Sequence, residues 1–332
     1  MDCAMKPEAQ VDVIIPCYRG DAYAQECLAG LLGQTHAAWK AWVIDDGSPA
    51  DSARRLDDVM FGFGDDRIRV LKQANAGVAA ARNAGVIAGN APFVAFLDID
   101  DIWAPDKLQR QLAVLQISPA TVAVYCDYET FDGKSVTPGA VEPTLRGSIA
   151  PALLREGNRV SGSASAVLAR RVALEAAGPF DETLRLGEDW ELWIRLARQG
   201  DFDFVDEPLV RIRRHAASAQ GAQDLSDGYE EMTEELLAQV SIVGRHAPEL
   251  LPEGALDSQS VARLRRAARR LAKRRLTFSE IVRLRAELRK TSALGEATAR
   301  ALAPAKLLSC LPWIALRSAF APSASTGGAG QS

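Results

Sequence analysis

Residues that bind zinc or form disulfides are scarce in this chain. Its 332 residues include only five cysteines and three histidines. The cysteines are far apart and form no CxxC pair, and an odd, scattered set is typical of reduced thiols in a cytosol. The histidines show neither HExxH nor HxxxH spacing, so we expect no zinc site.

Long apolar runs are also absent. No stretch of 18 or more apolar residues occurs, so the sequence predicts no ordinary transmembrane helix. Residues 1–10 are polar and lack the apolar region of a signal peptide, so we expect no secretory signal and a cytoplasmic protein. With 48% apolar and 25% charged residues, the chain has the composition of a folded protein, and its length favours about two domains.

The net charge of −4 conceals a strong asymmetry. Residues 261–290 carry 12 Lys and Arg against two acids, whereas the rest of the chain carries 27 bases against 41 acids. A dense basic segment on an acidic protein indicates contact with nucleic acid, anionic lipid or an acidic partner, or a solvated helix. No aromatic residue interrupts residues 263–275, as base stacking would require, so we expect no nucleic acid partner.

Short apolar segments alternate with helix-patterned segments over the first 125 residues. The sequence predicts strands at 11–15, 41–44, 68–71, 92–97 and 121–125, and helices at 21–33, 51–60, 77–89 and 105–116. This alternation is typical of βαβ units, so we expect an α/β fold with a Rossmann-like, mainly parallel sheet flanked by helices. Further along, the pattern predicts strands at 160–168, 202–205 and 209–212 and helices at 171–177 and 188–199.

The chain changes character after about residue 220, because only helical patterns follow. We expect an α/β domain over residues 1–220, a basic and amphipathic helical extension over 221–320, and a disordered tail rich in Gly, Ser and Ala over 321–332. Within the extension, the clearest helical patterns lie at 224–243 and 258–290, and an apolar stretch follows at 307–320.

The densest group of acids follows the fourth predicted strand, at Asp98, Asp100 and Asp101. In parallel sheets, ligands bind outside the carboxyl ends of the strands. Carboxylates this close repel each other unless a cation or a set of donors neutralises them. Hard oxygen ligands favour Mg²⁺ or Mn²⁺ shared with a diphosphate, although an acidic turn before the next helix explains the same residues equally well.

Two more acidic motifs lie where a ligand would bind. Asp45 and Asp46 end the second strand, where a carboxylate accepts hydrogen bonds from a ribose or a base edge. The sequence Asp-Asp-Gly-Ser is equally typical of a turn and helix cap. Glu188 and Asp189 open a helix, and an acid in a desolvated cleft is basic enough to accept a proton. Acids in a first helical turn also simply favour the helix dipole.

Together these motifs resemble the family 2 glycosyltransferases of the GT-A fold. The matching motifs keep the family's order over residues 11–108 and 178–215, and the resemblance covers about residues 11–218. In chain order they are VDVIIPCY (11–18), QT (34–35), VIDDGS (43–48), GVAAARNAG (77–85), FLDIDDIW (96–103), PDKL (105–108), GPFDE (178–182), EDWELWIRL (188–196) and PLVRIRRH (208–215). The QxxRW motif of processive members is absent, which favours transfer of one sugar per encounter.

The resemblance implies roles for residues on the donor side. Asp46 resembles the acid that binds the donor's base, usually uracil, and Pro16 and Tyr18 would line the nucleotide pocket. Arg82 resembles the basic residue near the nucleotide and its phosphates. Asp98 matches the first acid of the family's DxD-type element and would face the ribose.

The resemblance also implies a metal site and an acceptor side. Asp100 matches the second acid of the DxD-type element and would ligate Mn²⁺ or Mg²⁺. His215 lies where some members place a residue that contacts the metal or the diphosphate. Asp189 matches the catalytic base, and its neighbours Glu188 and Trp190 would shape the acceptor side.

The function that the resemblance implies is that of an inverting, non-processive, metal-dependent glycosyltransferase. A sugar would move from a nucleotide-sugar, with UDP favoured only by family habit, to a hydroxyl of a glycan or lipid-linked acceptor in cell-surface polysaccharide or glycolipid synthesis. One alternative is a non-catalytic relative that binds nucleotide-sugar or glycan and organises an assembly complex. The joint presence of Asp46, Asp98, Asp100 and Asp189 argues against it. A haloacid dehalogenase type of phosphotransferase is disfavoured, since its DxD element lies near the N-terminus.

The basic extension has two interpretations. The bases at 263–290 favour an anionic membrane surface, and the apolar stretch at 307–320 suits the membrane interface. Many relatives use lipid-linked acceptors, so peripheral attachment to the inner face of the plasma membrane is one expectation. The other is a helical pair that packs on the α/β domain or forms a dimer contact.

Overall fold

The computed structural model describes residues 11–133, 135–139, 144–160, 162–215, 238–239 and 241–246. These residues form one sheet with helices on both faces, which confirms the predicted α/β class. None of the helices within these ranges is long and apolar enough to cross a membrane. The segments at 263–290 and 307–320 lie outside the described residues, as do most of the predicted extension and its tail.

The sheet contains nine strands, and seven helices accompany it within residues 11–215. The strands are β1 (Val11–Cys17), β2 (Trp39–Asp46), β3 (Ile68–Gln73), β4 (Phe93–Phe96), β5 (Ile102–Trp103), β6 (Thr121–Phe131), β7 (Val136–Pro138), β8 (Leu168–Arg170) and β9 (Asp201–Arg213). The helices are α1 (Asp21–Leu32), α2 (Ala50–Phe63), α3 (Val78–Ala88), α4 (Lys107–Ile117), α5 (Ala150–Glu156), α6 (Arg171–Ala177) and α7 (Glu188–Leu196).

The strand order brings several chain segments to one edge of the sheet. The order is β3-β2-β1-β4-β8-β6-β9-β5, with β7 paired to β6. Strands β1 to β4 run parallel, and β8 runs antiparallel between β4 and β6. Because β9 is parallel to β6, its end lies at the same edge as the ends of β1, β2 and β4. The start of β8 reaches that edge too, since Leu168 pairs with Ala95.

Two hydrophobic clusters cover the two faces of the sheet. Ile14 and Ile44 belong to one, with side chains from α3, α5, α6 and α7. Val13 and Val43 belong to the other, with side chains from α1, α2 and α4. Neighbouring strand residues alternate between the clusters, because successive side chains of a strand point to opposite faces. The sheet is therefore buried on both sides, and the edge formed by the strand ends is the exposed place for a site.

Two predicted strands differ in the structure. Of the strand predicted at 160–168, only Leu168 belongs to a strand, β8: the rest of the described part is irregular and contains a short 3₁₀ turn, Ala164–Ala166. Its small side chains suit β-structure and tight turns alike, so composition alone does not separate the two. The strands predicted at 202–205 and 209–212 are one strand, β9, and its register shifts mark irregular pairing with β6 near Pro208. Proline removes a donor there without ending the strand.

Two helical glycines should respond to alanine in opposite directions. A Cβ on Gly85, in α3, would lie 2.5 Å from Cγ2 of Ile14 and 2.8 Å from Cδ1 of Ile44. Overpacking of this kind costs about 1–3 kcal/mol, so Gly85→Ala should lower the free energy of unfolding by that amount. Gly62, in α2, has nothing within 4 Å of the same position, and Gly62→Ala should stabilise by up to about 1 kcal/mol. Urea unfolding of both variants checks this, and equal effects would contradict the packing described for α3.

Candidate active site

The ends of β1 and β2 place three predicted donor-side residues at the open edge of the sheet. Pro16 is buried within β1, and Tyr18 follows the strand with 48% of its surface exposed. Asp46 ends β2 and is buried. Tyr18 is one of the few large hydrophobic side chains that the described residues leave open to solvent, which suits a ring that a planar ligand would cover.

The carboxylate of Asp46 is held by three donors of its own chain. Oδ1 accepts hydrogen bonds from Nε2 of Gln73 at 2.8 Å and from the backbone N–H of Ala76 at 2.9 Å. Oδ2 accepts one from the N–H of Gly77 at 2.9 Å. Asp46 thus fixes the loop that leads into α3, and a donor base would have to share or replace one of these bonds. Its base-binding role stays a prediction.

Arg82 lies at the centre of the candidate site. The guanidinium, on α3, donates to Oδ1 of Asp98 at 2.8 Å and to Oε1 of Glu188 at 2.7 Å, and only 5% of the side chain is exposed. Burial opposes its charge, but the carboxylates of Asp98 and Glu188 outweigh burial and raise the pKa of Arg82 above its ordinary value. Arg82 therefore connects residues 98–101 after β4, which we call the acidic loop, to the start of α7, 90 residues further along the sequence.

Two serines complete the acidic loop. The hydroxyl of Ser163 lies 2.9 Å from Oδ2 of Asp98 and 3.0 Å from Oδ2 of Asp101. Ser165 donates to the same oxygen of Asp101 at 2.5 Å and accepts a bond from the N–H of Asp98 at 2.9 Å. Burial and the charges of Asp98 and Asp100 raise the pKa of Asp101 well above its usual range. The serines thus fix the orientation of both carboxylates.

Sequence interpretation missed these serines. They lie in the segment that was predicted to be a strand, and their only signal was a run of small and polar residues, Gly162 to Ser165. The structure instead turns this run so that Ser163 caps a 3₁₀ turn through its side chain, which accepts from the N–H of Ser165. The turn lies immediately before β8, which explains why it reaches the end of β4.

Asp100 and His215 lie together, as the metal prediction requires. Nε2 of His215, which follows β9, is 2.9 Å from Oδ2 of Asp100, and the imidazole stacks on Tyr23 with ring centroids 4.8 Å apart. Burial and the charge of Asp98 raise the pKa of Asp100, while the hydrogen bond from His215 opposes that rise.

The donor set of this pair suits a divalent metal shared with a ligand. Nε2 of His215 and Oδ2 of Asp100 are hydrogen-bonded here, and both an imidazole nitrogen and a carboxylate oxygen are atoms that bind Mn²⁺. Within the described ranges, no three His, Cys, Asp or Glu side chains are grouped to hold a metal ion. Mg²⁺ is ordinarily bound by one or two carboxylates, with water and phosphate oxygens completing its shell. The residues present therefore fit a metal that arrives with a diphosphate.

Arg213 is a second residue that sequence interpretation missed. Its Nε donates to the backbone carbonyl of Asp100 at 3.1 Å, and its backbone N–H donates to Oδ1 of Asp101. The guanidinium lies between two rings, 4.3 Å from the centroid of Phe131 and 5.1 Å from that of Tyr23. Nothing in the run of arginines at 211–214 distinguishes this one, because only the pairing of β9 shows which arginine faces the acidic loop.

Asp189 lies in the first turn of α7, beside the acidic loop. Oδ1 accepts from the N–H of Trp190 at 2.6 Å, and Oδ2 accepts from Nδ2 of Asn158 at 3.1 Å. Burial, followed by repulsion from Glu188, raises the pKa of Asp189 to about 6. The carboxylate is half-buried, and its Oδ2 accepts only the 3.1 Å bond from Asn158 among the described residues. It is also more basic than an ordinary aspartate. Those are the properties that a general base needs.

Of the two residues predicted to shape the acceptor side, one faces the site and one belongs to the core. Glu188 bonds to Arg82 and lies among the acids. Trp190 is 4% exposed, and its indole N–H donates to the carbonyl of Leu153 at 3.2 Å. Trp190 thus packs α7 against α5, so any influence on an acceptor would pass through that packing rather than through contact.

The known proteins that this chain resembles include several glycosyltransferases. The chain is 30% identical over 215 residues to the uncharacterised glycosyltransferase RP339 of Rickettsia prowazekii, a match over 62% of this chain and 64% of that protein. It is 28% identical over 197 residues to the Escherichia coli UDP-Glc:alpha-D-GlcNAc-diphosphoundecaprenol beta-1,3-glucosyltransferase WfgD, over 59% of this chain and 73% of that protein. The chain thus spans less than two thirds of the length of RP339.

Solved structures share the fold. The mannosyltransferase PcManGT of Pyrobaculum calidifontis, in complex with GDP-Man and Mn²⁺, is similar over 91% of this chain and 80% of that chain, with a TM-score of 0.55 at 16% identity. TarS 1-349 of S. aureus, in complex with UDP-GlcNAc, is similar over 88% of this chain and 91% of that chain, with a TM-score of 0.54 at 15% identity. These likenesses show that the chain has the GT-A fold, as predicted.

The family assignment rests on the sequence match together with this fold. The model of glycosyl transferase family 2 matches residues 12–176, which include the ends of β1, β2 and β4 and both site serines. Asp189 and His215 lie beyond the matched residues, on elements that the fold brings back to the same edge. The chain therefore belongs to glycosyl transferase family 2.

Proposed function

We propose that this protein transfers one sugar at a time from a nucleotide-sugar to a hydroxyl of a lipid-linked or glycan acceptor, with inversion at the anomeric carbon. One observation carries the proposal: Arg82 bonds Asp98 and Glu188 at once, so the acidic loop and the half-buried Asp189 share one site. The name of WfgD supports a lipid-linked acceptor, and the UDP-GlcNAc bound to TarS supports a UDP-sugar donor.

The chemistry follows from the charges of the site. Asp189 takes the proton of the acceptor hydroxyl, and that oxygen attacks the anomeric carbon from the face opposite the diphosphate. The bond between the anomeric carbon and the diphosphate oxygen breaks, so a single displacement inverts the configuration. Asp100 and His215 would hold Mn²⁺ or Mg²⁺, which when bound neutralises the leaving diphosphate. Arg82 supplies a fixed positive charge, and most of the rate gain comes from such electrostatics and positioning.

The basic segment bears on where in the cell the protein acts. The basic segment at 263–290 lies beyond the described residues, and its composition suits an anionic membrane surface. A protein that uses a lipid-linked acceptor needs access to the bilayer that holds it. We therefore infer peripheral attachment to the cytoplasmic face of the plasma membrane, with cell-surface polysaccharide or glycolipid synthesis as the process served.

Calorimetric titration of the full chain with UDP, GDP and dTDP, with and without Mn²⁺, tests the donor and metal roles. We expect one nucleotide to bind only with Mn²⁺, and Asp100→Ala to weaken that binding about tenfold or more, because loss of a metal-site group typically costs 10–100-fold in metal affinity or activity. Asp66→Ala is the matched control, because that side chain is fully exposed and, among the residues that the structure describes, pairs only with Arg69 at 3.9 Å. If no nucleotide binds under either condition, the non-catalytic alternative gains the support that this proposal loses.

A further inference from the structure

A short helix at residues 241–246, which we call the docking helix, packs against the start of α7. Ile242 and Val243 are completely buried in the cluster that includes Trp190 and Trp193. Cδ1 of Ile242 lies 3.2 Å from the position that a Cβ on Gly187 would occupy. Gly187 has a positive φ of 77° and immediately precedes Glu188 and Asp189. The docking helix therefore covers the turn from which the two acids emerge.

The docking helix ends in a buried polar contact with α7. Nε2 of His246 donates to Oε1 of Glu191 at 2.8 Å, and both residues are buried. Arg195, one turn further along α7, donates to both carboxylate oxygens of Glu191 and to the carbonyl of Pro179. Burial opposes ionisation, but hydrogen bonds from His246 and Arg195 outweigh it and lower the pKa of Glu191. The contact is thus a satisfied charged network inside the protein.

A second contact joins the docking helix to the loop beside Arg82. Arg245 forms an ion pair with Asp181, which is itself bonded to the N–H and hydroxyl of Thr183. One residue before Asp181, the backbone N–H and carbonyl of Phe180 bond the side-chain amide of Asn83, at 2.8 and 3.0 Å. Asn83 neighbours Arg82 on α3. Arg245 is therefore connected to the part of α3 that carries Arg82. His246 is connected through Glu191 to the helix that carries Glu188 and Asp189.

We propose that the docking helix positions the catalytic machinery: His246, through Glu191, and Arg245, through Asp181, hold α7 so that Glu188 and Asp189 face the acidic loop. None of its residues touches the site, so they are positioning residues. The inference rests on the proposed function, because it assumes that Asp189 is the base. It also makes residues 241–246, which lie in the predicted helical extension, necessary for the reaction.

The test uses three variants of the full chain: His246→Ala, His246→Gln and Ser241→Ala. His246→Ala should lower kcat about 10- to 100-fold, since small displacements of a catalytic group cost up to about that much, while UDP affinity stays unchanged. His246→Gln should restore most of the rate, because its amide nitrogen takes the place of Nε2. Ser241→Ala is the control on the same helix and should leave kcat unchanged. Its hydroxyl accepts an exposed, long hydrogen bond of 3.3 Å from Arg245.

Hydrogen exchange of the α7 amides gives a second measurement that needs no turnover. His246→Ala should speed exchange in residues 188–196 and leave β1, β2 and β4 protected as in the wild type. Exchange in α7 that matches the wild type, or a loss of kcat matched by an equal loss of UDP affinity, would overturn the positioning role. If the wild type itself transfers no sugar, the proposed function fails, and the exchange measurement alone still decides whether the docking helix holds α7.

Discussion

Asp189→Asn should abolish sugar transfer and leave nucleotide binding intact. Asparagine keeps the size of the side chain and an oxygen for the N–H of Trp190, but it cannot accept the proton of an acceptor hydroxyl. A positioned general base contributes about 10²- to 10⁴-fold, so kcat should fall by that factor. Initial rates with a radiolabelled donor measure the loss, and calorimetry with UDP and Mn²⁺ measures binding.

The matched control for this substitution is Asp51→Asn. It makes the same change in α2, on a side chain that is 75% exposed and paired with Arg54, and transfer should proceed at the wild-type rate. Transfer by Asp189→Asn at the wild-type rate would remove Asp189 from the mechanism. Loss of UDP binding together with transfer would place Asp189 on the donor side instead.

The pKa of about 6 at Asp189 adds two signatures to the same variant. In the wild type, kcat should fall tenfold per pH unit below about 6, because only the ionised carboxylate accepts a proton. The free energy of unfolding changes in the opposite direction to kcat. Because the pKa of Asp189 is higher in the folded than in the unfolded state, this carboxyl lowers the free energy of unfolding as pH rises from about 4 to 6. Asp189→Asn should therefore be about 1–3 kcal/mol more stable than the wild type at pH 7.5, and the gain should disappear at pH 4.

The parallel half of the sheet was predictable from the sequence, because each of its strands is visible as a local pattern of apolar residues. Each strand from β1 to β4 is a short apolar run between helical patterns, and Asp46 and Asp98 follow directly from where such runs stop. In a parallel sheet those ends meet at one edge, so adjacency in space follows from order along the chain. Asp100 and Asp189 needed the family resemblance as well, since each also suits an ordinary turn or helix start.

The partners of these acids were not predictable in the same way. Ser163 reaches the acidic loop because β8 runs antiparallel to β4, and no local pattern fixes that pairing. Arg213 faces Asp100 because of irregular pairing along β9, and His246 reaches Glu191 across a tertiary contact. Each of these depends on a contact that is distant in sequence. Periodicity reports which face of an element is buried, but it does not report which element covers that face.

Arg82→Met should destabilise the protein in a manner that depends on pH. Methionine keeps the apolar stem beside the ring of Phe180, but it leaves the partly buried Asp98 and Glu188 without their cation. Removal of one partner from a buried ion pair costs about 3–5 kcal/mol, so the free energy of unfolding should fall by about that amount at pH 7.5. Transfer should be lost as well, since the same guanidinium joins the acidic loop to α7.

The pH dependence of that deficit separates charge from packing. The positive charge of Arg82 lowers the pKa of Asp189, so its removal raises that pKa further in the folded state. A raised carboxyl pKa costs stability only above the pKa of the unfolded chain. The deficit relative to the wild type should therefore be largest near pH 8 and shrink as the pH falls toward 4, in urea unfolding at several pH values. Arg69→Met, at an arginine 52% exposed in β3, should change stability by less than about 0.5 kcal/mol throughout. A deficit that is equal at pH 8 and pH 5 would mean that Arg82 stabilises the fold by packing on Phe180 and not through its charge.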